Sequence, residues 1–189
     1  MSLQDIARYW NATPEERRAD YPCDAYLEQP YERFVRAVDV DAPVQIVFRW
    51  LCQLKVAPYS YDWVDNRGRR SPRQLTSGAG ELEFGQRLLV FSLVDFAQDR
   101  HLTGVSLPGA TRAFGPMAVT YMVLSRGEGV SRLVGCIDVG AVSTVTRIRR
   151  AALAWGDLIM ARKQLLTLRD LAERGEVRGP GRRDAGGAE

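Results

Sequence analysis

The alternation of apolar and polar residues predicts a strand followed by a helix in the first third of the chain. Apolar residues occupy alternate positions of Tyr31 to Val40, and Arg36 interrupts the apolar face. Asp41-Ala42-Pro43 then predicts the start of a helix, because an aspartate cap precedes a proline near the first turn. Apolar residues cover most of the circumference from Val44 to Leu54, so we expect this helix to be largely buried.

A run of strands is predicted in the middle of the chain. Chain breaks are expected at 76–80 and from Pro108-Gly109 to Gly115-Pro116, and short linkers between consecutive strands favour antiparallel pairing. The first strand of the run is apolar on both faces. The predicted strands are Arg87 to Phe96, His101 to Leu107, Met117 to Ser125 and Ser131 to Val139.

From about Ser143 to Arg174 the apolar residues recur with the period of a helix, which predicts a helix roughly 45 Å long. Its apolar stripe is formed by Ile148, Ala152, Trp155, Ile159 and Leu166. Strands followed by a segregated helix indicate an α+β architecture, in which a curved antiparallel sheet wraps around the long C-terminal helix. We expect a polar lead-in at 1–30, one domain at 31–174 and a disordered tail at 175–189.

Composition and charge exclude several classes of function. The chain has 189 residues and a net charge of +3. The longest apolar stretch, Leu88 to Val94, is far shorter than the ~20 residues that span a bilayer. Arginines cluster at 67–73 and 147–150, but solvated surface is the simpler explanation than phosphate binding. We therefore expect neither a membrane span nor a nucleic-acid partner.

The cysteines and the single histidine limit the possible chemistry. Cys23, Cys52 and Cys136 are widely spaced without a C-x-x-C pair, which argues against a disulfide scaffold or a cysteine-rich zinc site and favours a cytoplasmic location. His101 is the only histidine, so multi-histidine metal sites cannot form. The sequence has neither a nucleophile elbow nor a phosphate-binding glycine loop. We expect no metal and no tightly held cofactor.

Several segments together resemble the SRPBCC superfamily, the START-like or helix-grip fold that includes polyketide cyclases and lipid-transfer proteins. They are the strand into Asp39-Val40-Asp41-Ala42-Pro43, the helix with Trp50-Leu51, Tyr59-Ser60-Tyr61-Asp62-Trp63, Gly85-Gln86, Ser131-Arg132-Leu133 and the terminal helix. The resemblance spans about 31–174. It implies an apolar cavity between the sheet and the C-terminal helix, but no shared catalytic motif.

The resemblance implies that aromatic and apolar side chains line such a cavity. The candidates are Trp50, Tyr59, Tyr61, Trp63, Phe91, Tyr121, Ala152, Trp155 and Ile159. Tyr59, Tyr61, Asp62 and His101 are candidates for acid–base chemistry, since a tyrosine hydroxyl can orient a carbonyl and a partly buried aspartate can act as a base. The alternative is structural: Asp62 caps a turn or pairs with a nearby arginine, and His101 faces solvent.

Three hypotheses follow. In the first, the protein binds a small hydrophobic, lipid- or polyketide-like ligand in this internal cavity. In the second, the same cavity serves a cofactor-independent cyclase, aromatase or dehydratase, in which positioning supplies much of the rate. In the third, the strand Arg87 to Phe96 is covered by a second subunit, which would make the protein a homodimer.

Overall fold

The computed structural model describes residues 3–28, 31–61, 68–140 and 147–177, and it describes their side chains except at 3–4, 147–155, 157 and 176–177. The helices are α1 (Leu3–Arg8), α2 (Pro14–Arg18), α3 (Val44–Cys52), α4 (Pro108–Phe114) and α5 (Arg147–Val177), with short 3-10 helices at Pro22–Tyr26 and Gln53–Lys55. The strands are β1 (Tyr31–Val40), β2 (Arg87–Leu88), β3 (Phe91–Ala97), β4 (His101–Ser106), β5 (Met117–Gly127) and β6 (Val130–Gly140).

The six strands form one antiparallel sheet in the order β1-β6-β5-β4-β3-β2. Successive side chains of a strand point to opposite faces, so the sheet has two distinct surfaces. We call the surface that packs toward α3 and α5 the inner face; Val38, Val119 and Leu133 belong to it. The opposite surface is the outer face, represented by Val35 and Cys136. The predicted α+β class and antiparallel pairing are confirmed.

The apolar run from Arg87 to Phe96 is not one strand, which corrects the prediction. Arg87 pairs with Ser92 and Leu88 pairs with Phe91, so the chain reverses in a tight hairpin at Leu89 and Val90. Leu89 has a φ of 58°, a left-handed conformation that is uncommon for leucine. A two-residue hairpin requires such a backbone. The tertiary pairing therefore overrides the local preference for an extended strand.

The segment predicted as a break at 108–116 contains the helix α4. Pro108 occupies the first turn, where its missing N–H is harmless. Gly115 follows the last helical residue with a φ of 91°, and its N–H donates to the Thr111 carbonyl at 2.9 Å. Such a left-handed glycine is a common helix end. Pro108 and Gly115, which were interpreted as parts of a chain break, thus mark the two ends of a short helix.

Helix α3 begins differently from the prediction. Its N-cap residue is Pro43, which has no capping side chain, rather than Asp41. Nearby, the Ser131 hydroxyl donates to the Ala42 carbonyl at 2.5 Å, and the Asp41 N–H donates to Glu173 Oε1 of α5 at 3.1 Å. Contacts with β6 and α5 therefore fix the strand-to-helix corner in place of a local cap.

The C-terminal helix α5 packs against α3, α1 and β1. Its described buried residues are Leu158, Gln164, Leu165, Leu168, Leu171 and Ala172. The predicted stripe is wrong at Ile159, which is 52% exposed. The buried positions follow the same helical period but on a face rotated from the predicted one, because α3 and β1 decide which side of α5 is covered. The helix also extends to Val177, three residues beyond the predicted boundary.

The residues that precede β1 wrap around its free edge. On the inner face, Ala7 of α1 packs against Phe34. At the edge, the Ala37 N–H donates to the Trp10 carbonyl at 3.2 Å, and Asn11 Nδ2 donates to the Ala37 carbonyl at 2.9 Å. Because Tyr21 and Cys23 pack on the outer face, this N-terminal segment contacts both surfaces of the sheet. The sequence did not predict this packing.

None of the helices in the described part of the chain is both long enough and apolar enough to cross a bilayer.

Candidate functional site

The interface between the inner face and helices α3 and α5 is the largest apolar cluster of the protein. Phe91 of β3 packs directly over Gly104 of the neighbouring strand β4, where an added Cβ atom would lie 2.9 Å from the Phe91 Cβ. Glycine is needed at position 104 for this close approach. From α5, Leu165 and Leu168 are each 1% exposed and complete the interface. Most of the surface that the resemblance assigns to a ligand is therefore apolar.

A buried chain of hydrogen bonds crosses this apolar interface. The Tyr121 hydroxyl on β5 donates to Gln164 Oε1 on α5 at 2.7 Å. Gln164 Nε2 in turn donates to the Pro58 carbonyl at 2.7 Å. Tyr121 and Gln164 are 8% and 5% exposed, and buried polar groups must be hydrogen-bonded to avoid a large free-energy cost. This chain fixes the position of α5 relative to β5 and to the loop after α3.

Tyr59 is the second polar group on the inner face. Its ring meets Trp50 edge-on, with 6.2 Å between centroids, and its hydroxyl donates to Gln53 Oε1 at 3.4 Å. The backbone φ of Tyr59 is 56°, a conformation that costs free energy in a bulky residue. The Tyr59 N–H donates to Ser71 Oγ at 3.2 Å, which stabilises this turn. Tyr59 thus points into the core between the inner face and α3.

The structure brings four of the predicted cavity residues into one core. Trp50, Tyr59, Phe91 and Tyr121 all belong to the inner-face cluster. Tyr61 is 37% exposed and lies outside it. The exposure of Ile159 removes it from the inward face. Asp62 and Trp63 lie outside the described residues, as do the side chains of Ala152 and Trp155 and the predicted tail at 178–189.

His101 is separated from the tyrosine candidates. It begins β4 and pairs with Met122, which packs in the outer-face cluster. Its Nε2 lies 3.0 Å from Asp95 Oδ2. Tyr59 is on the inner side of the sheet, so the two groups cannot act on one substrate. The predicted acid–base set is therefore not assembled by the described residues.

The described residues show no cavity between the inner face and α5. Part of the space is occupied by the N-terminal segment. Arg36, the residue that interrupts the apolar face of β1, is 2% exposed. The Arg36 Nη2 donates to the Ala7 carbonyl of α1 at 2.9 Å, and Trp10 packs against the inner-face cluster. The buried arginine thus anchors α1 beneath α5, which sequence analysis missed because the partner is a backbone carbonyl.

An ion pair holds the N-terminal segment on the outer face. Arg132 donates to both carboxylate oxygens of Glu16, at 2.9 and 3.0 Å. Glu16 also completes a capping box with Thr13 at the start of α2. Burial acts to raise the pKa of Glu16, but the hydrogen bonds from Arg132 and from the Thr13 backbone outweigh it and lower the pKa. The carboxylate therefore stays ionised.

A polar cleft beside this ion pair is not a convincing ligand site. Its volume is about 480 Å³. Arg132 also contacts Asp39 at 3.1 Å, and Arg126 lies 3.5 Å from Glu16. Each arginine is thus matched by a carboxylate within the protein, so the cleft has no excess charge to attract a ligand. The lining residues are Asn11, Ala12, Thr13, Asp39, Arg126 and Arg132.

A second buried polar cluster lies on the outer face beneath the 3-10 helix at Pro22–Tyr26. Arg33 donates two hydrogen bonds to Asp138, both at 2.9 Å, and also pairs with Asp24. These hydrogen bonds raise the pKa of Arg33. The Sγ atoms of Cys23 and Cys136 are 4.0 Å apart. The hydrogen bond with Cys23, together with burial, raises the pKa of the Cys136 thiol.

Within the described ranges, the outer-face cluster contains the only group of three or more histidine, cysteine or acidic side chains whose ligand atoms lie close enough together to hold a metal ion. Its members are Cys23, Cys136 and Asp138, all buried. The sequence analysis did not predict this group. The two cysteines are separated by 113 positions and share no local motif. Only the folding of the N-terminal segment across the sheet brings them together.

Comparisons with known proteins find similarity in structure alone. The chain is similar to a protein from Thermobifida fusca solved by NMR, with a TM-score of 0.51 and 15% identity over 75% of this chain and 93% of that one. A structure of norcoclaurine synthase from Thalictrum flavum with dopamine and hydroxybenzaldehyde has a TM-score of 0.47 and 9% identity, covering 87% and 96% of the two chains. The Aha1 dimer from Colwellia psychrerythraea has a TM-score of 0.44 and 12% identity, covering 76% and 98%.

No protein-family model matches the chain, and no curated protein matches its sequence. At these identities the similarity concerns the fold. The antiparallel sheet, with the long helix α5 packed on its inner face, is a helix-grip fold, as the sequence predicted.

Proposed function

We propose that this protein is a member of the SRPBCC superfamily that binds a small hydrophobic ligand between the inner face and α5. The observation that supports it is the combination of a broad apolar interface with the buried polar pair of Tyr121 and Gln164, which joins the sheet to α5. Ligand sites are mostly apolar, with a few polar groups that fix orientation. A ligand carbonyl or hydroxyl would exchange hydrogen bonds with this pair while its apolar body replaces core contacts.

The rim of the proposed site also suits an apolar ligand. Phe84 is 70% exposed, and its ring lies 5.1 Å from that of Phe96, which pairs with the inner-face residue Leu102. Phe114 at the end of α4 is 43% exposed. Exposed aromatic residues near the edge of an apolar interface favour entry of hydrophobic molecules, because they lower the cost of partial desolvation.

The test compares two probes that differ by one hydroxyl group, naphthalene and 2-naphthol, in binding to the full chain. Tyr121→Phe removes the hydroxyl of the polar pair. We expect it to weaken 2-naphthol about fivefold, which corresponds to one net hydrogen bond, and to leave naphthalene unchanged. Tyr26→Phe is the matched control, because Tyr26 is 41% exposed on the outer-face 3-10 helix.

Isothermal calorimetry with the probes and native mass spectrometry of gently purified protein give the readouts. The proposal fails if neither probe binds the wild-type chain and no small molecule copurifies with it. It also fails if Tyr26→Phe and Tyr121→Phe change binding equally, since the ligand would then be elsewhere.

We do not propose the cyclase-type reaction, because Tyr59 and His101 lie on opposite sides of the sheet. The cytoplasmic location and the homodimer stay predictions. The second depended on a continuous strand over Arg87 to Phe96, where the structure has a hairpin, so sizing of the purified protein is the direct measurement.

A further inference from the structure

We propose that Cys23, Cys136 and Asp138 form a structural site for a thiophilic divalent cation, Zn²⁺, which fastens the N-terminal segment to the outer face of the sheet. The inference does not depend on the hydrophobic ligand proposed above. It rests on three ligand atoms that converge from two elements far apart in the sequence: the 3-10 helix at Pro22–Tyr26 and strand β6.

The distances fit a tetrahedral ion. Two thiolates at the usual ~2.3 Å from tetrahedral Zn²⁺ stand about 3.8 Å apart, and a thiolate and a carboxylate oxygen stand about 3.5 Å apart. Here the two Sγ atoms are 4.0 Å apart, and Cys23 Sγ lies 3.7 Å from Asp138 Oδ2. All three ligand atoms lie within 4.8 Å of one another. The first two of these distances need adjustments of only a few tenths of an ångström.

The charges also fit. Asp138 is neutralised by the bidentate hydrogen bonds from Arg33, so the carboxylate brings no net charge to the centre of the cluster. Binding of Zn²⁺ displaces one proton from each thiol, and the two resulting thiolates match the 2+ charge of the ion. Asp24, which pairs with Arg33 from the solvent side, adds a further negative charge that favours the cation.

The surroundings of the cluster resemble the outer shell of a metal site. Carboxylate ligands in such sites are held by a second hydrogen-bond partner, which fixes their orientation; Arg33 has this position relative to Asp138. Cys23, Cys136 and Asp138 are each 0% exposed, so bulk solvent does not reach the proposed site. The Thr120 hydroxyl accepts from the Cys23 N–H at 3.0 Å and so holds the Cys23 backbone in place. Water would complete the fourth tetrahedral position.

A bound ion would stabilise the attachment of the N-terminal segment to the sheet. Cys23 belongs to the segment that passes around the free edge of β1, whereas Cys136 and Asp138 belong to the centre of the sheet, where β6 pairs with both β1 and β5. One ion would therefore cross-link the segment to the sheet. We expect bound Zn²⁺ to raise the melting temperature of the full chain and to slow proteolysis within residues 3–28.

The experiment titrates the full chain, kept reduced by a phosphine, with Co²⁺ and then with Zn²⁺. We expect one Co²⁺ per chain, with the thiolate-to-cobalt charge-transfer absorption and the visible bands of a tetrahedral ion, and displacement by Zn²⁺. Cys23→Ser and Cys136→Ser each remove a direct ligand of the ion. Each should weaken metal binding at least as much as the loss of an outer-shell partner does, which is about 10- to 100-fold. Cys52→Ser is the matched control, because Cys52 is a buried cysteine of α3.

Mapped alkylation of the wild-type chain tests the site without substitutions that could impair folding. Zn²⁺ should slow alkylation of Cys23 and Cys136 much more than alkylation of Cys52, which is slowed only as far as the whole fold opens less often. The proposal is overturned if no equimolar metal binds the reduced protein, or if Zn²⁺ protects all three cysteines equally. It is also overturned if the purified chain carries a Cys23–Cys136 disulfide, with a mass two hydrogens lower, and the reduced form binds no metal.

Discussion

The two faces of the sheet are both buried, but by different chemistry. The inner face packs against α3 and α5 through a large apolar cluster with few polar groups. The outer face is covered by the N-terminal segment, whose apolar cluster is much smaller. Buried charged groups accompany it, among them the pairs Glu16–Arg132 and Arg33–Asp138.

The difference separates two physical ways of covering a sheet. Apolar contacts are non-directional, so many side chains of similar volume can fill the inner face and a ligand could replace some of them. Buried ion pairs require one geometry, because removal of one partner leaves the other desolvated and unpaired. The inner face therefore suits a binding site whose side chains can repack around a ligand. The outer face suits attachment of the N-terminal segment in a single position.

The largest effect is expected on the inner face. Leu168→Ala should lower the free energy of unfolding by about 3 kcal/mol, because it removes buried methyl groups and leaves a cavity under α5. Chemical denaturation measures the loss. Ile159→Ala is the control: Ile159 is 52% exposed and should change stability by no more than about 0.5 kcal/mol. Equal losses of stability at the two positions would contradict the orientation of α5, in which Leu168 is buried and Ile159 is exposed.

A smaller effect is expected on the outer face. Asp138→Asn should cost about 2 kcal/mol in metal-free protein, because it weakens charge-assisted hydrogen bonds to Arg33 while Asp24 still compensates part of the guanidinium charge. The more exposed pair Arg8–Glu32 is the comparison, and Glu32→Gln should cost less than about 1 kcal/mol. If the two substitutions have the same cost, burial does not strengthen the Arg33–Asp138 pair.

The smallest effect concerns pH. The pKa of Glu16 is lower in the folded protein than its ordinary value of 4.5. Its contribution to stability is therefore complete above about pH 4.5 and is lost as the pH falls through the folded pKa. Glu16→Gln should flatten the acid limb of stability against pH, whereas Glu128→Gln in the exposed β5–β6 turn should not. An unchanged acid limb in Glu16→Gln would contradict a role for the Glu16–Arg132 pair.

Regular periodicity was the most reliable guide to this fold. The bounds of β1, predicted at Tyr31 to Val40, agree with the structure. The errors occur where two explanations share one local pattern. A continuous apolar run fits both a strand and a hairpin, and Pro108 with Gly115 fits both a break and the ends of a helix. Strand pairing decided the first case and packing of Ala110 against the core decided the second.

The role of the candidate site stays a prediction, but the structure shows where several of its residues lie. Four candidates that the resemblance implied, Trp50, Tyr59, Phe91 and Tyr121, share the inner-face core. Gln164 was missed, since a glutamine on a helix is usually solvated and only the Tyr121 hydroxyl and Pro58 carbonyl make it a buried residue.

The amino-acid sequence by itself determined strand β1, helix α3, the antiparallel pairing of the strands and the long C-terminal helix, because periodicity and short linkers are local properties. Tertiary structure alone decided which side of α5 is buried and where residues 3–28 lie. It also decided that Cys23 meets Cys136 and Asp138, and that Arg36 meets Ala7. These contacts join residues distant in the sequence, and hydrogen-bond geometry between such residues leaves no periodic signal along the chain.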